Sequence, residues 1–255
     1  MKLVTLLLLT LTSQVSVASE GFTWLHGVAV GTGLAEHTVT FIFTAIIFIC
    51  GGLIYRMKTK NIEGSVVPDK KVSYRNVVEF IGEFVYNLAK ETMGEKEARL
   101  YFPLMIFYFG YIFLNNLIGL VPGFLPPTEN FNTGLALGIW IFIYYNAMGV
   151  KVQGLVGHIK HFAGPMLAMA PLIFVLEIIS HAMRPLTLGL RIRGNMMGDH
   201  TVLAIFSDLV PYIVPLPFYL LGIFVCFMQA FVFTLLSMIY ISMAVETHDH
   251  EEHAH

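Results

Sequence analysis

Apolar residues fall into long blocks along this chain, separated by two kinds of loop. The first block, about Thr38–Tyr55, carries no charge and is rich in Phe and Ile. Further blocks cover about Leu100–Val121, Thr133–Val150, Gly164–Ser207 and Pro217–Val245. About 20 apolar residues in helical form span a ~30 Å hydrocarbon core. The pattern therefore predicts an all-α polytopic membrane protein with about five membrane segments. The fourth block is overlong: about 44 residues would reach ~66 Å, twice that core. It is expected to be steeply inclined, bent, or folded into two pieces, and Pro171, Pro185, Gly189, Gly194 and Gly198 offer the bends. The fifth is also long, with Pro211, Pro215 and Pro217 at the turn before it.

Two further stretches have patterns of their own. In residues 72–99, Val77, Ile81, Phe84, Val85 and Leu88 share one helical face, opposite Glu79, Glu83, Asn87 and Lys90. This predicts an amphipathic helix, either lying on the bilayer surface or docking a partner subunit. At the N-terminus, Lys2 precedes a leucine-rich run over residues 3–11 and small residues at Ser16-Val17-Ala18. Residues 1–19 thus resemble a secretory signal peptide, leaving 20–255 as a single membrane domain.

Composition and charge sharpen the picture. Hydrophobic residues make up 56% of the chain, charged residues 13%, and the mean hydropathy is +0.72; soluble domains carry about 25% charged residues. Nine of the fifteen Lys and Arg lie between Arg56 and Arg99, whereas residues 209–245 contain no Asp, Glu, Lys or Arg. The basic loops, 56–99 and 151–161, are expected inside, and the loops 121–132 and 208–216 outside. That gives an N-terminus outside and a C-terminus in the cytoplasm. No basic stripe suggests nucleic acid. Cys50 and Cys226 read as apolar packing residues. The tail 247–255, with four histidines and three acids, reads as a solvated cytoplasmic segment rather than a metal site.

The chemistry concentrates in the fourth block. Glu177, Arg184, Arg191 and Asn195 recur at offsets of 0, 7, 14 and 18, a single stripe that drifts about 20° per heptad. Asp199 follows four residues later, beside His200. An arginine at mid-bilayer costs at least ~2.5–3.5 kcal/mol, so it needs a partner or a use. Carboxylate and imidazole groups exchange protons while arginine stays charged, so this face has the makings of a proton path.

Residues 188–195, Leu-Gly-Leu-Arg-Ile-Arg-Gly-Asn, resemble the L-x-L-R-L-x-x-N signature of subunit a of F-type ATP synthase. Other motifs follow in the family's order. Asn116–Pro122 resembles N-L-I-G-L-x-P. Glu177 followed by Arg184-Pro185-Leu186-Thr187-Leu188 resembles the glutamate-to-K/R-P-x-S-L stretch. Gln229–Ile241 resembles Q-A-F-I-F-x-x-L-x-x-x-Y-I. The resemblance covers about residues 75–246.

It implies a non-catalytic, proton-translocating stator subunit in the inner membrane of a bacterium, with no cofactor. Its implied partners are the c-subunit ring, the b subunits of the peripheral stalk, the rest of the synthase, and lipid. Helices at about 164–207 and 217–245 would lie tilted against the ring, between two half-channels. Arg191 would hold a passing ring carboxylate ionised, Gln229 would face it, and Glu177, Asn195 and His200 would line the half-channels. Asp199 replaces a usual small residue and would add an acceptor. The alternative from the residues alone is a secondary transporter with a buried Arg as counter-ion, a class that favours internal repeats; no repeat is evident. Arg193, and Asn130 at the position of a usual Asp, depart from the family pattern. So does Gly222, where a titratable partner for His200 is usual; Glu129 is the nearest substitute for the acid of the external loop.

Overall fold

The computed structural model describes residues 23–59, 73–121, 123–163, 170–209 and 215–245. The signal-like segment 1–19 and the histidine-rich tail 247–255 lie outside the described residues. The helices in chain order are α1 (His26–Thr32), α2 (Glu36–Lys58), α3 (Tyr74–Met93), α4 (Glu95–Gly119), α5 (Phe131–Ala163), α6 (Ala170–Leu209) and α7 (Pro215–Val245), with a short 3₁₀ turn at Pro127–Glu129. The chain is an all-α polytopic membrane protein. Among the described residues four helices are long and apolar enough to cross a membrane: α2, α4, α5 as far as Gly154, and α7 from Leu216. The remaining expected segment is α6, long enough to cross but studded with the polar residues of the stripe.

Glycines and prolines decide several boundaries differently from the apolar pattern. The amphipathic stretch ends at Met93, because Gly94 adopts φ +84°; residues 95–99 open α4 instead. Ser73 caps α3 by accepting the Arg75 backbone N–H at 3.2 Å, and Arg75 pairs with Glu79 one turn on at 2.6 Å. Residues 151–161, expected as a loop, are helical, and α5 kinks at Gly154 with φ +74°. The overlong fourth segment is one 40-residue helix with Pro185 inside it rather than two pieces. Such a helix is ~60 Å long, so it exceeds the hydrocarbon thickness unless strongly inclined.

Much of the apolar face of the amphipathic helix packs on its own chain, while Val77 of that face stays exposed. Val85 and Ala89 are fully buried, and the Phe84 ring meets Phe109 of α4 and Phe227 and Phe231 of α7 at centroid distances of 5.8–6.0 Å. The core continues through Tyr101, Met105, Tyr108 and Ile112 of α4, Ile141 and Tyr145 of α5, Leu188 and Ile192 of α6, and Phe233, Met238 and Ile241 of α7. Ile46, Ile49 and Leu53 of α2 and Leu220 and Phe224 of α7 stay exposed, as lipid-facing side chains would. The anchors of α2 are partly polar: Thr44 donates to Asn115 Oδ1 at 2.8 Å, and the Tyr111 hydroxyl donates to the Phe41 carbonyl at 3.3 Å.

The closest packing is between α5 and α6, where backbone meets backbone. A Cβ placed on Gly138 would lie 2.6 Å from the Pro185 carbonyl oxygen, and one on Gly189 would lie 2.9 Å from the Leu135 nitrogen. Small residues allow helices in lipid this proximity, where dispersion and weak polar contacts replace the hydrophobic effect. Gly138→Ala is therefore expected to destabilise the solubilised subunit by about 1–3 kcal/mol. Gly52→Ala, whose added methyl would meet nothing within 4 Å, should leave the thermal melting midpoint unchanged or slightly raised.

Candidate functional site

The long α6 crosses two neighbours along its length and thereby separates its polar stripe into distinct groups. At its centre Arg191, Gly194, Asn195, Gly198 and Asp199 face Val225, Met228, Gln229 and Val232 of α7 across a cavity of about 390 Å³. Ile192 and Met196, on the opposite face, are buried in the core. The 3.6-residue period thus turns Arg191 outward: it is exposed, as are Gly194, Asn195 and Gly198. A Cβ on Gly194 or Gly198 would meet nothing within 4 Å, so the glycines leave an open floor.

Among the described residues Arg191 makes no ion pair. Asp199 lines the same cavity without reaching it. The groove's polar wall is fixed by one short bond: Asn195 Nδ2 donates to Gln229 Oε1 at 2.5 Å. Gln229 is 2% exposed, and this bond leaves its own amide N–H groups available. A permanent cation, a neutral amide pair and a glycine floor thus line one open groove, whose charge would suit an anionic group.

Towards the N-terminal end of α6 lies a second group. Arg184 Nη2 pairs with Glu177 Oε1 at 3.4 Å, and its guanidinium sits 5.0 Å from the Tyr240 ring centroid of α7. His181 Nε2 donates to Asn146 Oδ1 of α5 at 2.8 Å, and the Tyr145 hydroxyl lies 3.4 Å from His181 Nδ1. Towards the C-terminal end, His200 Nδ1 lies 3.3 Å from Glu129 Oε2 on the 3₁₀ turn. Arg191, Asn195, Asp199 and Gln229 thus share one cavity, whereas Glu177 and His200 belong to the flanking groups.

A family model for the ATP synthase A chain matches residues 37–242. The chain is 46% identical over 214 residues to "ATP synthase subunit a" of Bdellovibrio bacteriovorus, covering 84% of this chain and 93% of that one. It is 43% identical over 204 residues to "ATP synthase subunit a" of Geobacter sulfurreducens, covering 80% and 86%. It is 49% identical over 172 residues to "ATP synthase subunit a 1" of Pelobacter propionicus, covering 68% and 74%. The chain belongs to the ATP synthase A chain family. Membership leaves the secondary-transporter alternative without support and makes the chain a membrane component of the synthase.

Within this family member, His181 belongs to no motif read from the sequence, although it lies four residues after Glu177 on the same face. Tyr145 and Asn146 have no periodic signature and meet His181 only through the α5–α6 crossing. Glu129 proves to be the partner of His200, for which the glycine at 222 offers no titratable group; Gly222 packs instead against Leu120. Among the described residues no three His, Cys, Asp or Glu side chains gather as a metal would require.

The Asn195–Gln229 bond can be tested by a double-mutant cycle. Gln229→Leu should cost about 0.5–1.5 kcal/mol of stability. The pair Asn195→Leu/Gln229→Leu should cost less than the sum of the singles, by at least ~0.5 kcal/mol, measured by thermal denaturation of the purified subunit.

Proposed function

We propose that this chain is the ion-translocating stator subunit of a bacterial F-type ATP synthase, and that the groove between α6 and α7 receives the membrane carboxylate of a rotating c-subunit ring. The observation that carries this reading is the exposed guanidinium of Arg191, without an ion pair among the described residues, above a glycine floor in a cavity that Asn195, Asp199 and Gln229 also line. A cation left alone at that depth costs several kcal/mol. A carboxylate arriving on a partner helix offsets that cost, at about 4 kcal/mol of attraction at 4 Å for an effective dielectric near 20.

The mechanism follows from the charge. An opposite charge within ~4–6 Å lowers a carboxyl pKa by about 1–3 units, so a ring carboxyl must release its proton before it passes Arg191. It takes up another once it has moved on. Arginine does not titrate in the attainable range, so it cannot itself carry protons past the carboxylate. Leakage across the groove is thereby opposed while rotation is permitted. Gln229, clamped by Asn195, lines the passage without adding a competing charge.

The flanking groups serve as two half-channels. Glu177 lies 14 residues before Arg191 and His200 nine residues after it, about 21 Å and 14 Å along a helix. The two clusters can therefore open towards opposite faces of the membrane. With the basic loops inside, the His200 end faces outward and the Glu177 end faces the cytoplasm. Each proton crossing between them releases ~2.3 kcal/mol per 100 mV. The subunit does no nucleotide chemistry; it couples proton flow to synthesis through the rest of the complex, held by the b subunits of the peripheral stalk.

Arg191→Ala is expected to abolish ATP-driven acidification of inverted membrane vesicles while the complex still assembles, a loss of more than about tenfold per complex. Acidification at the wild-type rate in the mutant would remove the basis of the assignment.

A further inference from the structure

Arg193 lies two residues after Arg191, about 200° further round a helix of 3.6 residues per turn. It is therefore absent from the Arg191 groove. The residue is partly exposed, and its guanidinium makes no ion pair or hydrogen bond among the described residues. The acids at this end of the bundle are placed elsewhere: Glu129 faces His200 Nδ1 at 3.3 Å, and Asp199 lines the Arg191 cavity. Residue 130 is an amide, and its Oδ1 accepts the Asn132 N–H at 2.9 Å. A permanent cation in a membrane helix needs a counter-ion, and for Arg193 the described chain supplies none.

Packing fixes the level of this cation. α6 runs antiparallel to α5, with Gly138 against Pro185 and Gly134 against Gly189. One turn beyond Gly189, Arg193 comes level with the start of α5 at Phe131. Met196 gives the same level from another helix, since its terminal methyl lies 3.2 Å from a Cβ built on Gly119, the last residue of α4. Arg193 thus sits where two neighbouring helices end, not at their middles. With the basic loops inside, those ends are the outer ones. Its neighbours along the surface of α6, one turn to either side, are Leu190 and Met197, 47% and 50% exposed. An arginine between two exposed apolar side chains, at the ends of apolar helices, matches the zone where acyl chains give way to headgroups.

We propose that Arg193 holds the phosphate of an outer-leaflet phospholipid on the flank of α6, with the acyl chains lying over Leu190 and Met197. The phosphate is the counter-ion missing from the chain. The planar guanidinium fork matches two phosphate oxygens and forms charge-assisted hydrogen bonds with them. The apolar stripe on either side suits hydrocarbon better than it suits an acidic protein surface, and the Arg191 groove opens on another face of the helix, which leaves this flank to lipid.

The test is photo-labelling of the whole complex in bilayer nanodiscs. One sample contains phosphatidylglycerol carrying a diazirine in its acyl chain near the glycerol; a second contains the matching uncharged diacylglycerol. Labelling of residues 187–201 is mapped by mass spectrometry and normalised to labelling of the exposed face of α2. The phospholipid probe should label this stretch about fivefold more than the diacylglycerol probe. Arg193→Leu should lower phospholipid labelling to the diacylglycerol level, and Arg193→Lys, which keeps a point charge for phosphate, should stay within about twofold of wild type. Unchanged labelling in Arg193→Leu, or equal labelling of the wild type by both probes, means ordinary bilayer contact and overturns the inference. Protection of the stretch from both probes marks a protein partner over Arg193 and overturns it too. Displacement of the phospholipid probe by millimolar inorganic phosphate identifies a free-anion site instead, with the same consequence.

Discussion

A guanidinium held at an open groove, with no carboxylate paired to it among the described residues, is the constraint around which this molecule is built. Arg184, seven residues earlier, shows the ordinary solution: it is satisfied within the chain by Glu177 and by the Tyr240 ring. Among the described residues Arg191 has neither, although Asp199 lines the same cavity. Were Asp199 close enough to pair with it, the groove would be neutralised internally and would have no use for an anionic partner. On the proposed reading, the cost of the unpaired charge is the affinity available to that partner.

The surrounding architecture serves to hold that charge at a surface rather than in a core. Ile192 and Met196 anchor one face of α6 in the bundle, which forces Arg191, Gly194, Asn195 and Gly198 to the other face. The glycine contacts of α5 with α6 fix the helix from behind at backbone distance, so the groove is formed on a rigid support. The amphipathic α3 closes the same bundle from another side through Phe84, packing against α7 and thereby bracing the second wall of the groove. Polar groups beyond the groove are then placed by neighbours that α6 crosses on its way: α5 and α7 at one end, the 3₁₀ turn at the other.

Membrane class, the helices and the central residues were legible in the sequence because lipid imposes a simple rule: apolar stretches of fixed length, with any charge among them conspicuous. The helical period likewise put Arg191, Asn195 and Asp199 on one face, and the structure places those three along one cavity. Local pattern could not foresee what depends on backbone conformation or on crossings. The positive φ values of Gly94 and Gly154 set the end of α3 and the kink in α5, and neither changes hydropathy. The partition of the stripe into three groups depends on which helix each polar side chain meets, so His181 finds Asn146 and His200 finds Glu129 through long-range packing. The amphipathic pattern marked Phe84, Val85 and Leu88 of α3 but not the helices of the same chain that they meet, since burial against the same chain and burial against lipid demand the same residues.

The central claim, that the Arg191 groove receives a carboxylate-bearing helix, is tested most directly by proximity. In a complex with Cys50→Ser and Cys226→Ala, a cysteine introduced by Gly194→Cys or Gly198→Cys should form an oxidative cross-link with a cysteine one turn from the membrane carboxylate of the ring subunit. A cysteine from Gly52→Cys on the exposed face of α2 should form none. Cross-linking from the groove alone is the predicted result; no cross-link from either groove position, in assembled and active complexes, would contradict the account.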